Sequence, residues 1–201
     1  IHELDKYMWE QAAKKLGEWK KEGKEEYHIS VNISAKDFCY MDVYKTITSL
    51  VEKYQIMPST LKLEITETAI MTGTAGELEI IGQFRKYGFE VEIDDFGSGY
   101  SSLNLFSRMK TDILKLDMKF VQNETAKNEE CNILNDIINM AHRMGMKVVA
   151  EGIEREEQAE RLKNAGCDYA QGYFFSKPLP VGEFEELLNK SVREQSSGRN
   201  T

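Results

Sequence analysis

The feature that most limits what this chain can fold into is a recurrence. Short strand-like runs alternate with helical patterns, and each run ends on a polar residue able to act as a ligand. The runs are His28 to Ser34 (HISVNIS), Leu61 to Ile65, the stretch from Val91 into Asp94, Ile113 to Leu116, Lys147 to Ala150 and Tyr169-Ala170. At or just past their ends stand Asn32, Glu64, Asp94 with Asp95, Lys115, Glu151 and Gln171. Strand alternating with helix predicts a parallel sheet and the α/β class. In a closed (β/α) barrel every strand end meets on one face, where such folds build their sites. An open doubly wound sheet would use mainly the strands beside its switch point. Six successive polar ends therefore favour a TIM-like barrel. There is no glycine fingerprint for dinucleotides and no GK[ST] phosphate loop.

The helices follow from apolar spacing. Leu4, Met8, Ala12, Leu16 and Trp19 predict a helix from about Asp5 to Glu22, closed by Gly23. Others are expected from Val43 to Tyr54, around Leu78, Ile81 and Phe84, from Ile133 to Met144, around Ala159 and Leu162, and from Val181 to Asn189. Ser101 to Arg108 reads as a short helix, and Ser196 to Thr201 as a frayed polar tail. A complete barrel has eight strands in about 250 residues. Only six are found here, so the front of the barrel is expected to lie outside the chain. The expected organisation is a partial barrel over residues 1–190 with a polar tail over 191–201.

Composition sets the class of partner. The net charge of −8 argues against binding long nucleic acid or an anionic membrane surface, but leaves room for a small nucleotide held through divalent ions. No apolar run reaches the length of a membrane span. Cys39, Cys131 and Cys167 are far apart and lack ligand spacing, which predicts reduced, buried thiols and a cytoplasmic protein. The histidines His2, His28 and His142 form no i,i+4 pair, so a histidine zinc site has little support.

The centre of the pattern is Val91 to Leu103, VEIDDFGSGYSSL. Neighbouring strand residues point to opposite faces, so Asp94 and Asp95 can share one cluster only where the strand is ending. Carboxylates under a glycine-rich loop suit hard cations; the plain alternative is an ordinary polar turn. Asn32, Glu64, Asp94, Asp95 and Glu151 supply oxygen ligands for two ions of the Mg²⁺ or Mn²⁺ kind. Such a pair clamps a phosphodiester and activates a water. Lys115 either neutralises charge on the phosphoryl oxygens or is an internal ion-pair partner. Glu67, Ser102 and Gln158 read as positioning or solvated residues. Tyr100 and the Phe174-Phe175 pair could stack a base, with core packing favoured for at least one phenylalanine.

The ordered series SVNIS, LEITET, IDDFGSGYSSL, ILKLD, VVAEGIE and QGYFFSKPL resembles the EAL-domain phosphodiesterases of bacterial cyclic di-GMP signalling, over about Ile1 to Leu188. The resemblance implies a TIM-like barrel, two divalent cations and hydrolysis of cyclic di-GMP to linear pGpG. It implies metal ligation by Asn32, Glu64, Asp94 and Asp95, with Asp94 bridging. Lys115 and Glu151 would manage the attacking water, with Glu151 near the second metal. Gln171 would complete the floor of the site, and Glu154 would meet a guanine edge. Glu67 would hold the glycine loop from Phe96 to Ser102, which in the family couples metal binding to a homodimer interface.

The departure is that the Glu-Ala-Leu signature strand, and the strand before it, are absent. In the family that glutamate is a metal ligand. The expectation is therefore a weak or inactive fragment of a longer parent with further upstream domains, among which a membrane anchor has room. Exposed sheet edges invite pairing between copies. The alternatives are a module that senses cyclic di-GMP without cleaving it and a purely structural role; the retained acids argue against the last.

Overall fold

Burial that alternates with a period of two sets the architecture. The strands are β1 (Ile29–Ile33), β2 (Leu61–Thr66), β3 (Val91–Phe96), β4 (Ile113–Leu116), β5 (Lys147–Ala150) and β6 (Tyr169–Ala170). In the computed structural model, which describes residues 2–97, 111–117, 119, 121 and 133–197, with side chains to residue 190, they form one sheet. Every pairing is parallel and the strand order follows the chain. Parallel neighbours need long crossovers. Where the crossovers are described, helices make them.

The helices are α1 (His2–Lys21), α2 (Ala35–Tyr40), α3 (Val43–Tyr54), α4 (Glu67–Thr72), α5 (Ala75–Tyr87), α6 (Ile133–Arg143), α7 (Glu156–Asn164) and α8 (Val181–Ser197). A 3₁₀ turn at Pro58–Thr60 leads into β2. Val31, Leu63, Ile93, Leu114 and Val148 pack from the sheet against Trp9, Ile47, Phe84, Leu134 and Ile138 of the helices. That core uses one face of the sheet. The residues between them point the other way, into the interior of the curl. There Ser30, Lys62 and Glu92 form a polar layer, with Ser30 Oγ 3.1 Å and Lys62 Nζ 3.5 Å from the Glu92 carboxylate.

The two ends of the sheet come round toward each other. Helix α1 packs on β1 and α8 follows β6, yet Trp19 Nε1 donates to Glu185 Oε1 at 2.8 Å and Lys15 Nζ lies 3.2 Å from the same oxygen. Strands β1 and β6 do not pair with each other. Among the described residues the fold is an incomplete TIM-like (β/α) barrel with six of the eight strands of a closed one.

Several expectations need correction. Two short helices, α2 and α4, have too few residues for an apolar period; caps carry them instead. Asp37 Oδ2 accepts from Ser34 N at 2.8 Å, and Thr66 Oγ1 accepts from Ala69 N at 3.2 Å. The buried stripe of α1 is Trp9, Ala13, Leu16 and Trp19, whereas Leu4 and Met8 are exposed. Met8 and Ala12 line a groove of about 350 Å³ along the edge of β1 that has no neighbouring strand among the described residues. Helix α8 runs past Asn189, because Arg193, Glu194 and Gln195 favour helix without an apolar repeat. Cys39 is exposed, not buried. Cys167 is partly covered, and burial pushes its thiol up to about 11. Ser101 to Arg108, Tyr100, Ser102 and Cys131 lie outside the described residues. Among the described residues no helix is long and apolar enough to cross a membrane.

Candidate active site

Register brings the polar strand ends together. Asn32 is level with Glu64, Thr66 is level with Asp94, and Lys115 is level with Val149, two residues before Glu151. Lys115 reaches across this face from β4. Its Nζ donates to Glu64 Oε1 at 2.6 Å, and lies 2.8 Å from Glu151 Oε1 and 3.0 Å from Asp94 Oδ1. Carboxylates from β2, β3 and the residue just past β5 thus meet one ammonium, on a lysine that is only 5% exposed.

Asp94 and Asp95 stand where β3 is ending, as expected, and a bulge there presents them. Ile93 pairs with Leu114 and Phe96 with Leu116, so three steps on β3 span two on β4. The extra residue sits at Asp94-Asp95, where Asp95 takes a left-handed φ of 58°. Bulges re-aim side chains in this way beside functional sites, and a left-handed aspartate is one of the less costly non-glycine choices. Phe96 then returns to the core at 2% exposure, which anchors the far side of the bulge.

A ring of supporting contacts surrounds this centre. Glu67, the first residue of α4, is buried, and its Oε2 accepts from Gly97 N at 3.1 Å. Gln158 is also buried, and its Oε1 accepts from the N–H groups of Glu154 and Arg155, each at 3.0 Å. These bonds fix the loop after β5. Glu154 itself is exposed, as are Gln171, Asn32 and Asp95. Gln171 is held by its backbone, donating to Ala150 O at 2.8 Å and accepting from Ile153 N at 3.1 Å. Phe174 and Phe175 are 41% and 54% exposed, so neither fills the core, contrary to expectation.

Asp117 was missed by the sequence reading. It directly follows β4, as Glu151 follows β5, and the same rule of polar residues at strand ends would have found it. Its charge acts on Asp95, and its backbone N–H bonds Phe96 O at 3.0 Å, tying it to the bulge.

The electrostatics are those of excess negative charge in a covered place. Burial opposes the charge on Lys115, but Glu64 and Glu151 outweigh it and hold the ammonium well above its ordinary range. Burial raises Glu64 and Glu151 above ordinary carboxyl values, by more than Lys115 lowers them. Asp95 is exposed as a residue, but partial desolvation of its carboxyl, then the charges of Asp94 and Asp117, raise it.

The donor set fits a divalent cation in kind. It is all oxygen, it carries more than one negative charge beyond Lys115, and Asp94 Oδ1 is buried without a hydrogen bond although it lies 3.0 Å from Nζ. Among the described residues, however, no three carboxylate, histidine or cysteine side chains stand as a ready-made metal cage. The three that come nearest are gathered on Lys115.

The comparisons with known proteins agree with this picture. The sequence model of the EAL domain matches residues 1–178. Signaling protein YkoW of Bacillus subtilis is 32% identical over 188 residues, covering 94% of this chain and 23% of that protein. Cyclic di-GMP phosphodiesterase NbdA of Pseudomonas aeruginosa is 34% identical over 188 residues, covering 94% of this chain and 24% of that protein. The chain thus spans about a quarter of the length of these two relatives. Among solved structures, the EAL enzyme Bd1971 in its cAMP- and cyclic-di-GMP-bound form superposes with a TM-score of 0.85 at 33% identity, over 93% of this chain and 52% of that one. The manganese/cy-diGMP complex of Klebsiella pneumoniae BlrP1 gives 0.79 at 25% identity, over 88% of this chain and 44% of that one. On its motifs, its six parallel strands and these matches, the chain belongs to the EAL-domain family.

Proposed function

We propose that this chain carries most of the active site of a metal-dependent phosphodiesterase that hydrolyses cyclic di-GMP to linear pGpG. The observation that supports it best is the convergence of Glu64 from β2, Asp94 from β3 and Glu151 just past β5 on Lys115 Nζ within 3.0 Å. Asn32, Glu64, Asp94 and Asp95 are the residues that would hold two divalent cations, Mg²⁺ or Mn²⁺. Bound there, the cations supply Lewis-acid polarisation of the phosphodiester and of the attacking water. Glu151, its carboxyl raised by burial, takes a proton from that water as its oxygen bonds to phosphorus. The P–O3′ bond breaks, a proton reaches the leaving oxygen, and a linear dinucleotide with a 5′-phosphate results. Lys115 meets charge building on the phosphoryl oxygens. Glu67 positions the loop after Asp95, Gln171 closes the floor, and Glu154 faces a guanine edge. The loop after Asp95 is also the surface we assign to a homodimer, within a domain ending near residue 190 of a longer cytoplasmic protein.

One observation favours binding without turnover. Asn32 is exposed on β1, which has no strand on its other side among the described residues. The test is incubation with cyclic di-GMP and Mg²⁺ or Mn²⁺, followed by chromatography, with a chelator control. Metal-dependent appearance of pGpG supports hydrolysis. Calorimetric binding with no product supports the sensor.

A further inference from the structure

Three acids crowd one buried cation, and this raises the question of what a metal ion would have to displace. The side chains of Lys115, Glu64, Asp94 and Glu151 are 7%, 12%, 16% and 22% exposed. Carboxylates this close repel strongly where water is excluded, so they stay ionised together only with a cation among them. In this structure that cation is the Lys115 ammonium. One oxygen of each of the three acids lies within 3.0 Å of Nζ, and among the described residues no three acids, histidines or cysteines are otherwise arranged to hold a metal ion.

We propose that Lys115 is the resident counter-ion of the metal-free site and competes with divalent cations for Glu64, Asp94 and Glu151. Metal entry and release of the ammonium from these acids are then a single exchange. This rests on reading the site as a metal centre, and it adds an order of events. Until a cation arrives, Lys115 is tied to protein carboxylates and unavailable to an anionic ligand. Once displaced, it is free to meet phosphoryl oxygens. Lys115 also sets the metal affinity lower than the acids alone would give.

The experiment is a Mn²⁺ titration, followed by electron paramagnetic resonance of the free ion, on the wild type, Lys115→Met and Lys115→Arg. Competition predicts that Lys115→Met binds Mn²⁺ about tenfold or more tightly, since a buried charge in the same cluster has been removed. Lys115→Arg should stay near the wild type. Equal or weaker binding by Lys115→Met overturns the proposal while the metal site stands. A wild type that takes up no Mn²⁺ overturns both. Should Lys115→Met fail to fold, the wild type still decides the matter through its lysine ammonium resonances, with Lys115 identified by its absence from Lys115→Arg. Mg²⁺ is expected to shift that resonance, and a resonance unmoved at saturating Mg²⁺ contradicts the exchange.

Discussion

Glu67 Oε2 accepts a hydrogen bond from Gly97 N at 3.1 Å, joining the start of α4 to the residue just past the Asp94-Asp95 bulge. The carboxylate is only 5% exposed, so its loss leaves a covered N–H without a partner. Glu67→Ala should cost about 1–3 kcal/mol in denaturant unfolding. It should also weaken Mn²⁺ binding, because Asp95 loses support on its carboxyl side. Glu67→Gln, which keeps an acceptor, should recover most of both.

Asp94 separates binding from folding. Its Oδ1 has no hydrogen bond, so the fold draws little from it beyond the contact with Lys115. Asp94→Asn should lower metal affinity by at least about tenfold and change unfolding stability by under about 1 kcal/mol. Isothermal titration beside a thermal melt checks both. Unchanged metal binding would remove Asp94 from the site.

The raised carboxyls give metal binding a pH dependence with a definite sign. Glu64 and Glu151 lie above their ordinary 4.5 and Asp95 above its ordinary 3.8, with burial the first cause in each. A cation needs them ionised, so protons compete with it at higher pH than they would at exposed acids. Mn²⁺ affinity should rise with pH through this raised window and level off above it. Stability of the metal-free protein runs the opposite way. The folded state binds these protons more tightly than the unfolded chain, so stability falls as pH rises from the ordinary values to the raised ones. Titrations and chelator-treated unfolding between about pH 4 and 8 test the pair of trends.

Gly172 tests the link between β6 and the loop after β5. A side-chain carbon there would run into the backbone of Ile153, whose N–H bonds Gln171 O and whose carbonyl accepts from Phe174 N. Gly172→Ala should destabilise by about 1–3 kcal/mol through overpacking. Because the same backbone carries Gln171 and lies beside Glu154, ligand affinity should fall as well. Calorimetry with cyclic di-GMP and a denaturation curve measure the two effects.

Much of the fold was legible because strand ends and helix spacing speak locally. Ile113 to Leu116, Lys147 to Ala150 and Val43 to Tyr54 are found where periodicity put them. What the sequence hides is pairing. The bulge that turns Asp95 depends on which residues of β4 lie opposite Ile93 and Phe96, a fact no single strand carries. The exposed Met8 shows the same limit, since with Ala12 it faces an edge of β1 that carries no strand among the described residues. Asp117 shows a different limit: the end of β4 carries two polar residues, and Lys115 already satisfies the pattern there.

The proposed chemistry requires that Glu64, Asp94, Asp95 and Asn32 hold cations at the mouth of the barrel. Anomalous diffraction from crystals soaked in Mn²⁺ measures this directly. We predict peaks within coordination distance of Glu64 and Asp94, with Asp94 shared, and Lys115 withdrawn from at least one of its three acids. Soaked crystals with no anomalous density among these side chains, and Lys115 still bound to all three, would contradict it.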